Sequence, residues 1–247
     1  MIEIRFHGPL NELLPARSRG RTLSRSVKGE PSVKDLIESL GVPHVEVDVI
    51  VVDGRSVGFG HRVPDGERIE VHPVHSDGGA SSVIHLAPPQ PEPGRIRFAC
   101  DGHLGRLAAY LRMLGIDTAY ANRADDDALA ALASHEDRTL LTQDRGLLKR
   151  AVIRHGYVVR SARPADQLRE VAERFGLAAA SRPFSRCLRC NSLLEPVDPS
   201  EARLQVPPRV AAEQAQYRRC PSCSALYWRG SHHARMQRLI EQTIQGE

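Results

Sequence analysis

The stretch Arg95-Ile96-Arg97-Phe98-Ala99-Cys100-Asp101-Gly102-His103-Leu104 decides the fold of the larger part of this chain. Residues 96–100 form a short apolar run that reads as a strand and stops on a carboxylate. Beyond it Leu104, Leu107, Ala108, Leu111 and Leu114 recur at the helical period, and Gly115 is the expected exit residue. The alternation continues downstream. Asp125-Asp126-Asp127 opens a helix through Leu129, Leu132 and Ala133, and residues 138–142 read as a second strand. A helix through Leu147, Leu148 and Ala151 comes next, then a third strand over 156–160. Pro164 opens a last helix, with Leu168, Val171, Ala172 and Phe175 on its apolar face. Strands alternating with helices predict an α/β domain with a parallel sheet, whose working edge is the C-terminal ends of its strands.

Four acids gather at that expected edge. Asp101 and Asp144 each come just after a strand, while Asp126 and Asp166 stand at helix starts. Carboxylates brought together repel one another, and the usual compensation is one or two hard divalent cations with oxygen ligands. Two such ions about 4 Å apart can activate a water and stabilise the leaving oxygen of a phosphodiester. Each acid also has a structural duty to weigh. Asp125, Asp126 and Asp127 suit a helix start in any protein, as does Asp166. Asp101 has no evident capping duty, and Asp144 in Leu140-Leu141-Thr142-Gln143-Asp144-Arg145 is equally pointed. Cys100, outside any cysteine pair, reads as a small buried hydrophobe.

Upstream, residues 76–95 carry Gly78-Gly79, Ser81-Ser82 and clustered prolines, the composition of a flexible linker. Residues 1–75 have a different pattern from the rest of the chain. Ile2, Ile4 and Phe6 alternate as one face of a strand, Ser32 caps a helix of Val33, Leu36, Ile37 and Leu40, and Gly41 stops it. Val47 to Val52, a turn at Asp53-Gly54, and a last strand Arg68 to Pro73 complete a β-grasp order. That order, with Asp65-Gly66-Glu67-x-Ile69-x-Val71-x-Pro73, resembles the ubiquitin-like sulfur carriers. Those act through a free terminal Gly-Gly carboxylate, whereas Gly78-Gly79 here is succeeded by a long chain, so the pair reads as linker and the domain as a docking module.

Downstream, Cys187-x-x-Cys190 and Cys220-x-x-Cys223 are separated by 29 residues. Two such knuckles build a closed tetrahedral site of four thiolates for a structural Zn2+, with Zn–S distances of about 2.3 Å. Residues 182–238 hold ten basic residues, all arginine, against four acids, a net +6, whereas residues 1–75 carry −1 and residues 96–181 carry +2. A cationic module favours a polyanion. Trp228, Tyr227 and Arg229 come after the second knuckle and are suited to stack on bases and hold phosphate, although Tyr227 and Trp228 equally suit covering the zinc module. His232 is a weaker candidate, since four cysteines already satisfy the metal. No run of 18 apolar residues and no signal-peptide core occur, which excludes a membrane span and points to the cytoplasm.

Phe98-Ala99-Cys100-Asp101-x-x-Leu104-Gly105-Arg106-Leu107-Ala108-x-Tyr110-Leu111-Arg112-Met113-Leu114-Gly115-Ile116-Asp117 resembles the opening of the Mut7-C RNase domain, a branch of the PIN-like nucleases. Leu140 to Arg145, Asp166 to Val171 and the cysteine module resemble its later motifs, with His233 in place of the usual aromatic. The resemblance covers residues 96–238, and the family often carries a ubiquitin-like domain ahead of it. It implies a PIN-like domain over 96–181, a zinc ribbon over 182–238, and Asp101, Asp126, Asp144 and Asp166 as metal-binding acids, Asp125 being inseparable from Asp126. Arg106 and Arg145 then become candidate phosphate contacts. The activity so implied is Mg2+- or Mn2+-dependent hydrolysis of RNA, with RNA and a protein partner of the β-grasp domain as the expected partners. The rival expectation is a non-catalytic RNA-binding adaptor in which the acids only cap helices.

Overall fold

The computed structural model describes residues 1–27, 29–74, 83–89 and 91–244, with backbone alone for Pro93, Ser231 and His232. Gly78, Gly79 and the His232 side chain lie outside the described residues. The chain forms two compact units, residues 1–90 with 126–158, and residues 91–125 with 159–247.

In the first unit β1 (Ile2–Phe6), β2 (Leu23–Arg25), β3 (Val47–Val52), β4 (Arg55–Val57) and β5 (Arg68–Pro73) form one sheet in the order β2-β1-β5-β3-β4. The β1–β5 pair is parallel and the other neighbours are antiparallel. Period-two alternation sends Ile2, Ile4, Phe6, Ile69 and Val71 into the core, where Val33 and Ile37 of α1 (Val33–Ser39) are also buried. Ser32 caps α1, its hydroxyl oxygen accepting from Asp35 N at 3.1 Å. Asp53 and Gly54 both adopt positive φ, 45° and 79°, which is why this pair can turn β3 tightly into β4. This is the β-grasp fold expected from the sequence.

Beyond residue 96 the strands and helices alternate as anticipated, with one further strand, Asp117–Tyr120, that the sequence pattern does not mark. β6 (Arg97–Cys100), α2 (Gly105–Met113) and β7 (Asp117–Tyr120) begin the second unit, and β6 pairs with β7 in parallel. α3 (Asp126–His135), β8 (Thr139–Thr142) and β9 (Gly156–Val158) belong to the first unit, and β8 and β9 are again parallel. The helix expected through Leu147, Leu148 and Ala151 is only a 3-10 turn, Leu147–Lys149, because Arg150 already has extended backbone. α4 (Pro164–Arg174) opens on its proline.

The cysteine module completes the second unit. It comprises β10 (Glu195–Val197), α5 (Pro199–Arg203), α6 (Pro208–Glu213), β11 (Tyr217–Arg219) and β12 (Leu226–Trp228), with the strands antiparallel in the order β10-β11-β12. α7 (Ser231–Ile244) packs on α4 and carries the module past residue 238.

Within the first unit, the β-grasp sheet and residues 126–158 share contacts. Glu46 is 3% exposed and accepts from Val158 N at 2.8 Å, while Lys149 Nζ donates to Glu38 O at 2.6 Å. A Cβ on Gly156 would lie 2.6 Å from Leu148 and 3.1 Å from Val45, so only glycine fits there. Residues 84–87, inside the segment read as linker, run beside β3 and β4. Ile84 N donates to Ser56 Oγ, and Leu86 N and Ala87 N donate to Asp48.

Candidate functional site

Asp101 comes directly after the fully buried residues Phe98, Ala99 and Cys100 of β6 and is itself 7% exposed. No capping duty was evident for it in the sequence, but it has one: Oδ1 accepts from His103 N at 2.8 Å and caps the turn Gly102–Leu104. The two glycines beside it answer to β7. Tyr120 donates its hydroxyl to Gly102 O at 3.1 Å, and a Cβ on Gly105 would come within 2.5 Å of that hydroxyl. Asp166 lies in the first turn of α4, half-exposed, with Oδ1 3.3 Å from Arg169. Behind it Gln167 and Glu170 hold the loop leaving β9. Gln167 donates to Ser161 O at 3.0 Å, and Glu170 accepts from Arg160 N and Ser161 N at 2.9 and 2.8 Å.

The other two acids belong to the first unit. Asp126 opens α3 and, with Asp127, faces Arg150. Asp144 is exposed past β8, donating its N–H to Thr142 Oγ1 at 2.9 Å and accepting from Gly146 N at 2.7 Å. Arg145 donates to the Leu13 carbonyl of the β-grasp domain, a duty with no sign in the sequence, and Arg106 is exposed on α2. Every donor the four aspartates offer is a carboxylate oxygen, the donor type that Mg2+ and Mn2+ prefer.

The cysteines converge. Cys187, Cys190, Cys220 and Cys223 bring their sulfurs within 4.8 Å of one another, with Sγ separations of 3.6 Å for Cys187–Cys223 and 3.3 Å for Cys190–Cys220. Their backbones repeat one pattern. Asn191 N donates to Cys187 O as Ser224 N does to Cys220 O, both at 3.0 Å. Cys187 N donates to Ser192 O as Cys220 N does to Ala225 O, and Asn191 and Ser224 both have positive φ. Hydrogen bonding to the Ser192 backbone and hydroxyl brings the Cys190 thiol down to about 6, nearer to the thiolate a metal requires. Tyr227 supports the site through its hydroxyl, 3.2 Å from Cys187 Sγ and accepting from Leu188 N at 3.1 Å. Four convergent thiols with equivalent knuckles fit a closed tetrahedral metal site.

The first knuckle is also anchored through residues that periodicity did not single out. Arg112, 4% exposed, donates to the carbonyls of Thr118, Leu188 and Arg189. Asn191 accepts from Thr118 N at 3.0 Å and donates to Asp117 at 2.8 Å. Beside the second knuckle a cavity of about 540 Å³ is lined by Arg186, Arg218, Tyr227, Trp228, Arg229 and His233 among others. Aromatic faces and guanidinium groups around one opening provide for stacking and for anion contact together. Among the described residues no helix is long and apolar enough to cross a membrane.

A family model described as the Mut7-C RNAse domain matches residues 96–240, and one described as Mut7-C ubiquitin matches residues 1–78. No curated protein and no solved structure matches the chain.

Proposed function

The chain belongs to the Mut7-C RNase family, and from that premise we propose that it hydrolyses RNA phosphodiester bonds with Mg2+ or Mn2+ held by Asp101, Asp126, Asp144 and Asp166. The observation that carries this reading is Asp101, a nearly buried carboxylate placed directly after a parallel strand of a chain whose matched family is a nuclease. When bound, the ion would supply the charge that activates a water and stabilises the leaving oxygen. The chain's own part is to orient the four acids. Asp101 and Asp144 are fixed by the N–H groups of His103 and Gly146. Arg106, Arg145, Arg229 and Trp228 would hold the RNA, and zinc in the four-cysteine site would keep the module that carries Trp228 and Arg229 folded. The ubiquitin-like domain would dock a protein partner.

A second reading has its own support. Each acid has a structural partner, and on that ground the protein is an RNA-binding adaptor working through the cationic module. Asparagine separates the two, because its side-chain oxygen still caps a turn while the charge is gone. The full chain is incubated with single-stranded and structured RNA under Mn2+, Mg2+ or EDTA, beside Asp101→Asn and Asp144→Asn. Metal-dependent cleavage lost in both variants supports the nuclease. RNA binding without cleavage under every metal supports the adaptor.

A further inference from the structure

A second cluster of metal-ligating side chains lies far along the chain from the cysteines, on the sheet of the ubiquitin-like domain. The parallel register sets Arg5 against Glu70 and Phe6 against Val71. Phe6 and Val71 point into the core, so Glu70 and His72 take the opposite face of β5. His7 N donates to Val71 O at 2.9 Å, which carries the register one residue past β1 and brings His7 beside His72. Their imidazole rings stack with centroids 4.3 Å apart and planes 3° from parallel. Glu70 Oε2 lies 3.7 Å from His7 Nε2, and one ligand atom from each of the three residues lies within 4.8 Å of the others.

Two features set this cluster apart from an ordinary surface ion pair. His7 Nε2 is buried and has no hydrogen-bond partner, and a buried polar atom left so is costly unless something satisfies it. The neighbouring ring offers a second nitrogen, since His72 stacks directly against His7 and brings a ligand atom within reach of the same point. All three side chains are only partly buried, so an ion can reach them.

We propose that His7, Glu70 and His72 form a second metal site, one for a borderline divalent transition ion with zinc as the best fit. Two imidazoles and one carboxylate are too rich in nitrogen for Mg2+ or Ca2+ and lack the thiolate that Cu(I) prefers. With three protein ligands rather than four, the site leaves a coordination position open to water, unlike the closed cysteine site.

The test is a zinc count on the full chain at equilibrium with micromolar free Zn2+ near neutral pH, beside His7→Ala, His72→Ala and Glu70→Gln. The native chain is expected to hold two ions, one in each site. Losing a ligand should weaken the second ion by about tenfold or more, since loss of even an outer-shell partner costs 10–100-fold. The cysteine-bound ion should remain in all three variants and report that the chain is intact. Glu70→Gln preserves shape and removes only the anionic ligand, so it keeps the test sharp if an alanine variant misfolds. One ion in the native chain, or two in every variant, would overturn the proposal.

Discussion

The β-grasp sheet and the cysteine module solve the same problem with different means. The sheet buries Ile2, Ile4, Phe6, Leu10, Leu13, Ile37, Ile50 and Ile69 completely or nearly so. The module's buried cluster is Cys187, Leu194 and Cys220, with Ala225 and Tyr227 packed partly against it. Apolar burial at about 25 cal/mol per Å² sustains the first and is too scarce to sustain the second. Where side chains cannot supply a core, four thiolates and the proposed zinc ion would replace it. Chelating the zinc should therefore have the largest effect, on the order of 10 kcal/mol for the module. Amide exchange checks it: Cys220 N and Ser224 N should lose protection while Ile4 and Val71 keep theirs. Loss of protection in both regions together would break the contrast.

A core substitution in each region sharpens it. Phe6→Ala should cost about 4 kcal/mol, since a fully buried aromatic is removed from a packed sheet. Leu194→Ala in zinc-loaded protein should cost only about 2 kcal/mol, because Leu194 sits at the edge of a small cluster whose geometry the metal sets. Denaturant melts of both variants give the comparison, and equal losses would mean that the module has more of a core than its buried residues suggest.

The two regions were also legible in the sequence for different reasons. Strands β3 and β5, α1 and the Asp53-Gly54 turn result from local signals, namely alternation, a cap and a dipeptide with a fixed turn chemistry. The cysteine site was legible from spacing alone, since two knuckles admit little else. β7 was not, because Asp117-Thr118-Ala119-Tyr120 is short and mixed in character. Besides its pairing with β6, it is held at Thr118 by Arg112 and Asn191, 6 and 73 residues away. Asp101 was found as a strand-end acid, but its cap on His103 N depends on a turn that periodicity does not reveal. The Glu70–His72 alternation was visible in the strand, whereas His7 joins them only through the parallel pairing of β1 with β5.

Within the module the two knuckles allow a finer contrast. Asn191 and Ser224 occupy equivalent left-handed positions, φ 73° and 58°, where glycine fits without steric cost. Asn191 also ties its knuckle to the α/β part, bonding Thr118 N and Asp117 through its side chain. The same substitution should thus act differently at the two sites. Asn191→Gly should cost about 2 kcal/mol, roughly 1 kcal/mol for each hydrogen bond lost. Ser224→Gly should lie within about 1 kcal/mol of neutral, since relief of the left-handed backbone offsets the added freedom of the unfolded chain. Thermal melts of the zinc-loaded variants decide it, and equal shifts would show that the anchoring of the first knuckle adds nothing beyond its backbone.

Acid should weaken the two regions by separate routes, and the first unit shows the smallest effect. His155 is 7% exposed there, its Nδ1 has no hydrogen-bond partner, and Nε2 stands 3.7 Å from Asp137. Burial lowers its pKa from 6.5, aided by Arg154 and opposed by Asp137. Below pH 6.5 the unfolded chain takes up a proton that the folded chain resists, so stability falls as pH drops toward the folded pKa and levels off beneath it. With the proposed zinc bound, the cysteine module would instead weaken in acid, because protonated thiols release the metal. His155→Phe removes the titration while keeping the backbone bond from Leu140 N, so exchange protection in β8 and β9 should depend less on pH between 7 and about 5 than in the native chain. His44 and His72, both also lowered by burial, leave a residual slope. An unchanged slope in His155→Phe would move the acid sensitivity of this unit onto those two histidines, of which His72 belongs to the proposed second metal site.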